Sequence, residues 1–235
     1  MIVTVNGARL FFDVEGATLA PKGPAMHEKP VLLCLHGGPG LDHSVLRPAF
    51  APLAQLAQLI YYLDQRGHGR SEGGTPREWS LEQWAEDVRG FCDTLGIERP
   101  IVLGTSFGGY VAMAYAIRYP ERPAGLILLS TAARGTGHPV RRENVLRAFE
   151  RRGGAAALEA VSRAFDERTQ EAYAAFGRIC GPLYNREVPN PDALKRIVRS
   201  PEILPYFERP GGEGVIFDLT VGLRRIACPT ENSTR

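Results

Sequence analysis

The 235-residue chain sets 28 Lys and Arg against 26 Asp and Glu, a net charge of +2 with no dense basic block, which argues against a nucleic-acid footprint. Its length suits one domain of ordinary size with a sizeable core and room for an inserted subdomain. No stretch reaches the ~20 apolar residues that cross a bilayer, and residues 1–12 alternate where a signal peptide would have a long apolar run, so a soluble, cytoplasmic protein is expected.

Val3 and Val5 alternate before Asn6-Gly7, and Leu10, Phe12 and Val14 alternate after it, which predicts a β-hairpin. Residues 16–29, rich in Gly, Pro and Ala, read as a surface loop in which His27 is incidental. Val31-Leu32-Leu33-Cys34-Leu35 is a continuous apolar run, as in a strand buried on both faces of a parallel sheet. It leads into His36-Gly37-Gly38-Pro39-Gly40, where bare backbone N–H groups can approach a ligand. Residues 50–59, with Leu53, Leu56 and Ala57 on one side, suit a short helix, and residues 59–63 a second buried strand. The loop from Asp64 to Ser71 follows, and its His68, lying between glycines just after a strand, reads as structural.

Ser80 with Gln83 three residues on forms a capping box, Trp84, Val88, Phe91, Cys92 and Leu95 recur at helical spacing, and Gly96 ends the helix. Trp84 belongs to the core. A strand at 101–103 then stops at Gly104-Thr105-Ser106-Phe107-Gly108, ahead of a helix at 110–118, a break at Pro120 and a strand at 126–129. In such a strand-to-helix turn the serine is strained outward, and side chains at Gly104 and Gly108 would collide. Strand and helix alternate throughout, which predicts an α/β fold, a mostly parallel doubly wound sheet with reactive groups at the C-terminal ends of strands.

From Arg134 the pattern becomes helical. Val145, Leu146 and Phe149, then Leu158, Val161 and Phe165, then Leu194, Ile197 and Val198 recur at helical spacing. The expected organisation is a core at 1–133, a helical cap at 134–222 able to cover the strand ends, and a return to the core at 223–235. Cys34, Cys92, Cys180 and Cys228 are widely spaced, so buried reduced thiols are expected, with no metal site and no cofactor.

The three loops at 36–40, 64–71 and 104–109, each after a strand and in this order, together resemble the α/β-hydrolase family, and the doubled glycine and proline after His36 resemble its proline iminopeptidase branch. The resemblance implies the α/β-hydrolase fold with a helical cap insertion. It makes Ser106 the nucleophile, forming an acyl-enzyme, and the backbone N–H groups of Gly38 and Phe107 the oxyanion hole. Losing one such donor typically costs ~3–4 kcal/mol of transition-state stabilisation. His36, Gly37, Pro39, Gly40, Gly104 and Gly108 would shape these loops, with His36 as a buttress and Asp64 and Arg66 organising the next loop. In iminopeptidases acidic cap residues receive the substrate amine, and Glu143, Glu150, Glu171, Glu187, Glu202, Glu208 and Glu213 lie in that region.

The family supplies an Asp and then a His after Ser106, and the chain stops where the seventh strand should begin. His138 is the only later histidine, and a surface polar role is expected for it. The last strands are therefore expected to be missing, as in a truncated reading frame. Activity near background, an apolar sheet edge around Leu128 and self-association through that edge would follow. The leading functional expectation is a metal-independent serine hydrolase that releases an N-terminal proline or small residue from a short peptide. A carboxylesterase, lactonase or amidase acting on a small molecule is the alternative, and a noncatalytic binding form that lacks the triad Asp and His is the answer of another class.

Overall fold

The structure is a computed structural model that describes residues 1–17, 19–22, 24–56, 59–184 and 195–233. Its centre is the apolar run after Val31: β5 (Leu32–Leu35) is buried at every position and lies parallel between β6 (Leu59–Leu63) and β7 (Ile101–Thr105). A strand flanked on both faces needs apolar side chains on both, and alternation sorts them. Leu33 and Leu35 join the core beneath helices α2 (Leu81–Thr94) and α3 (Phe107–Arg118), whereas Leu32 and Cys34 join a smaller core on the opposite face with Leu46, Ile60, Tyr62 and Leu103.

The sheet order is β1-β2-β6-β5-β7-β8-β9; β2 (Ala8–Gly16) runs antiparallel to both β1 (Ile2–Val5) and β6, and the remaining pairs, through β8 (Gly125–Leu129) and β9 (Thr230–Ser233), are parallel. The predicted hairpin forms, with Asn6 and Gly7 both at positive φ (48° and 77°), the backbone that a two-residue turn between twisted strands requires. Helix α2 starts as predicted where the Ser80 hydroxyl accepts from Gln83 N, but the Gln83 amide donates to Asp87, so the capping box is only half made. It ends at Gly96, φ 68°, where Ile97 N bonds Cys92 O and Gly96 N bonds Asp93 O. Trp84 is 1% exposed, a core residue as expected.

Several expectations need correction. Residues 16–29 do not form a plain loop: β3 (Leu19–Lys22) and β4 (Ala25–Glu28) make a separate two-stranded hairpin, and the side chain of His27 lies outside the described residues. The helix expected at 50–59 is split into a single turn, α1 (Arg47–Phe50), and a 3₁₀ segment, Ala51–Gln55. Leu56 is exposed, not core, and Ala57 lies outside the described residues. Helix α3 begins at Phe107, directly after the serine, three residues earlier than the spacing suggested.

Beyond Arg134, α4 (Pro139–Glu167) is interrupted at Gly154, whose φ of 65° is not helical, and it packs against α5 (Gln170–Cys180) through Phe149, Ala157, Val161 and Cys180. Leu194 lies outside the described residues, and Ile197 and Val198 are not helical. Short helices at Ile203–Phe207 and Glu213–Ile216 follow. The chain leaves and re-enters the sheet region through one paired neck: Arg134 bridges Asp218, Gly135 N bonds Phe217 O and Leu219 N bonds Ala133 O. The largest correction is at the end. The expected polar tail supplies β9, which pairs with β8 from Leu126↔Thr230 to Leu129↔Ser233, so the apolar strand around Leu128 is covered and a largely exposed polar strand forms that edge. Cys34, Cys92 and Cys180 are buried free thiols and Cys228 is half-buried, with burial pushing Cys34 and Cys92 up to about 12.

Candidate active site

The serine turn follows from register. β7 ends at Thr105, Ser106 takes φ 51° and ψ −115°, and α3 starts on the next residue. A non-glycine residue there is strained, and the surroundings hold it. Ser106 N donates to Leu129 O at the end of β8, Gly109 N donates to Ser106 O at 2.9 Å, and the Thr131 hydroxyl donates to the same carbonyl at 2.8 Å. Glycine is obligatory around it: a Cβ on Gly104 would stand 2.6 Å from Gly109 Cα, and one on Gly108 would stand 2.6 Å from the His36 carbonyl. The side chain of Ser106 is left half-buried at the C-terminal end of the sheet.

The glycine loop runs beside it. A Cβ built on Gly37 would lie 3.5 Å from Ser106 Cβ, so the 36–40 and 104–108 motifs meet. Gly38 and Gly40 have φ of 133° and 92°, a region closed to most other residues, and Pro39 is buried between them. The N–H of Phe107 is at the first position of α3, where no carbonyl of the helix can reach it.

Beneath the two loops His36 is fully buried. Its Nδ1 donates to Gly37 O at 2.8 Å and its Nε2 accepts from Gln65 N at 3.2 Å, a pattern that only the neutral ring satisfies. Burial accordingly lowers its pKa. His68 is likewise buried against Trp84 and Phe107, donating Nδ1 to Arg66 O at 2.9 Å, and burial drives its pKa to about 3. Both rings are bonded to the backbone of the loops that they sit beneath. Arg66, 1% exposed, donates to both Asp87 oxygens and to Glu78, and so ties the 64–71 loop to α2.

No motif or periodicity marks the second cluster. His43 is buried, with Nδ1 at 2.7 Å from Asp64 Oδ1 and Nε2 at 3.2 Å from Asp13 Oδ2 on β2. Asp42, His43 and Asp64 bring ligand-type atoms within 4.8 Å of one another. Those atoms are already engaged, since Asp42 also takes Arg70 Nη1 at 2.7 Å and Asp64 takes the N–H groups of His43 and Arg70, so the arrangement is an ion-pair cluster. Burial opposes the charge on His43, yet the hydrogen bond and charge of Asp64, with Asp13 and Asp42, raise its pKa overall.

The one histidine that follows Ser106 in the sequence is not brought to it. His138 caps α4 beside an open groove of about 420 Å³ lined by Arg134, Pro139, Phe217 and Asp218, and among the described residues no histidine is hydrogen-bonded to the Ser106 side chain. Of the acidic candidates, Glu143, Glu150, Glu171 and Glu202 are exposed and Glu187 lies outside the described residues. Glu208 is buried, but it accepts from Thr136 and Arg168. Glu213 is half-buried and accepts from Leu81 N at 2.9 Å, with no cation paired to it among the described residues, and burial raises its pKa. Phe207, which no periodicity marked, wedges against Phe107 and Trp84, and Ser200 N donates to Gly40 O, so the 200–208 stretch rests on the loops.

The chain is 37% identical over 125 residues to a proline iminopeptidase of Pestalotiopsis fici, a match covering 52% of this chain and 43% of that one. It is 33% identical over 110 residues to a 2-hydroxymuconate semialdehyde hydrolase of Pseudomonas sp. strain CF600, covering 46% and 38%. The matches thus span less than half the length of these curated relatives. A crystal structure of proline iminopeptidase from Mycobacterium smegmatis superposes with a TM-score of 0.71 at 20% identity, covering 99% of this chain and 80% of that one, a likeness of fold. The alpha/beta hydrolase fold profile matches residues 30–189, the span that holds the glycine loop, the 64–71 loop and the serine turn, and this chain belongs to that family.

Proposed function

We propose that this protein is a serine hydrolase acting by acyl transfer. Ser106 is the nucleophile and the N–H groups of Gly38 and Phe107 are the oxyanion donors. The observation that carries this reading is the strained Ser106 backbone lying side by side with the glycine loop, next to the open first turn of α3. Attack of the Ser106 oxygen on a carbonyl carbon would put the developing negative charge on the carbonyl oxygen, facing those N–H groups. Collapse would break the bond to the amine or alcohol, which leaves with the proton given up by the serine, and water would then hydrolyse the acyl-enzyme. A fluorophosphonate that labels Ser106, with the label lost in Ser106→Ala, tests the assignment. Labelling at another residue would sink it. With no base hydrogen-bonded to the serine among the described residues, the 235-residue chain is expected to label far more slowly than an intact serine hydrolase.

The preferred substrate is a short peptide with an N-terminal proline or small residue. Support comes from the iminopeptidase relative and from Glu213, a half-buried carboxylate with no cation paired to it among the described residues, suited to a substrate ammonium group. One observation favours the alternative of an ester, lactone or amide without an amine: Glu208, the more buried acid, is already paired with Arg168. Paired assays with proline and acyl-ester chromogenic substrates, run on wild type and Glu213→Gln, separate the two. Loss of proline release with ester cleavage retained supports the peptidase. Equal effects on both would overturn the assignment of Glu213.

A further inference from the structure

The glycine loop is held at both ends by two consecutive residues. At its start Gln65 donates its N–H to His36 Nε2 and its amide to His36 O at 3.1 Å. At its far end the neighbouring Asp64 accepts His43 N at 2.8 Å and His43 Nδ1 at 2.7 Å through one oxygen, and Arg70 N at 3.0 Å through the other. The Gln65 end is held by neutral bonds. The Asp64 end depends on a charged ring, because Nδ1 and Nε2 of His43 both face carboxylates and only an imidazolium can donate to both.

We propose that His43 is a positioning residue for acyl transfer: clamped between Asp64 and Asp13, its charged ring fixes the conformation of residues 37–40 and so the aim of the Gly38 N–H. This rests on Gly38 being an oxyanion donor. The charged and titratable groups around the ring come from every packed element: Asp13 and Glu15 on β2, Asp64 and Arg70 on the following loop, Asp42 on its own loop, Arg47 bonded to Asp13 and Glu15, and His36 beneath, with the rings of Phe11 and Tyr62 enclosing it. Net negative charge surrounds one imidazole, so the ring holds its proton, and the clamp its closure, to higher pH than an ordinary histidine. Deprotonation removes one of the two ring donors and turns a nitrogen lone pair toward a carboxylate, while Asp13 keeps Arg47 and Asp64 keeps the N–H groups of His43 and Arg70.

The test is NMR on the 235-residue protein. The His43 ring and the amides of Gly37, Gly38 and Gly40 are expected to titrate with one shared midpoint above the ordinary histidine value, while His36, which burial keeps neutral, responds on the acid side. In His43→Gln the glycine amides lose that transition, and Ser106 labelling at neutral pH falls about tenfold or more, as expected when an oxyanion donor is slightly misaimed. Asp13→Asn, a milder change on a half-exposed side chain, lowers the shared midpoint without removing it. Glycine amides that ignore the His43 titration, or a shared midpoint unmoved by Asp13→Asn, would overturn the proposal. Wild type that is not labelled at Ser106 sinks the nucleophile assignment, and the His43 coupling is still decided by the amides.

Discussion

The loops at the C-terminal ends of β5, β6 and β7 and the helical segment beyond Arg134 are built on different physical terms. Around Ser106 the polar groups are buried and closely fitted: His36 and His68 sit neutral in the core, Arg66 is enclosed by Asp87 and Glu78, and glycines stand where a methyl group would strike backbone. The helical segment has its own small core around Phe149 and Val161, and most of its ion pairs, such as Glu143 with Arg147, are exposed on one helix. Buried fitted groups define one geometry, which reaction chemistry requires, whereas exposed pairs leave a surface free to vary.

The contrast breaks or sharpens under substitution. The largest effect is expected at Asp87→Ala, which strands the Arg66 guanidinium in the core: about 3–5 kcal/mol of stability, read from urea unfolding. A loss below about 1 kcal/mol would show that Glu78 alone compensates Arg66. Next is Gly104→Ala, where the added Cβ meets the Gly108 carbonyl at 2.5 Å, expected to cost about 3 kcal/mol with loss of Ser106 labelling.

The third test is pH. His68 has a folded pKa depressed to about 3, so the unfolded chain takes up its proton first, and this contribution is intact above the ordinary histidine value and lost as pH falls. Between pH 7 and 5 it removes on the order of 2 kcal/mol. In His68→Phe that part of the slope should vanish, whatever the change in absolute stability. His43 works in the opposite sense, because its raised pKa keeps its contribution full on the acid side and loses it as pH rises through the raised value. The smallest effect is on the helical segment, where Glu143→Gln should shift stability by no more than ~0.5 kcal/mol and become undetectable in high salt.

Much of the core and half of the candidate site could be read before any coordinates. The apolar runs at Leu32–Leu35 and Leu59–Leu63 are strands because only a sheet covered on both faces tolerates them, and Gly104 and Gly108 announce a turn because no other residue fits. A structural role for His68 was legible from its place between glycines after a strand, and a buttress role for His36 from the family resemblance, whereas their burial as neutral rings was not. The acidic candidates were not separable, because Glu208 and Glu213 differ only in what the fold sets beside them: Arg168 and Thr136 against one, the Leu81 N–H against the other. The 3₁₀ segment after Phe50 escaped prediction because only Leu53 and Ala54 of it pack, half-buried, against the core, too few to fix an α-helical face.

Sequence by itself determined the alternation of strands and helices, the serine turn and the order of the three loops, since local sterics and hydrophobic periodicity act over a few residues. Tertiary structure alone decided that Thr131 braces Ser106, that Asp13 and Asp64 close on His43 from different elements, and that Thr230–Ser233, polar throughout, is a strand. Those outcomes depend on partners far away in the chain. A polar segment becomes β only because β8 offers it an edge of unpaired backbone, and the charged form of a buried histidine is favoured only because distant carboxylates are folded against it.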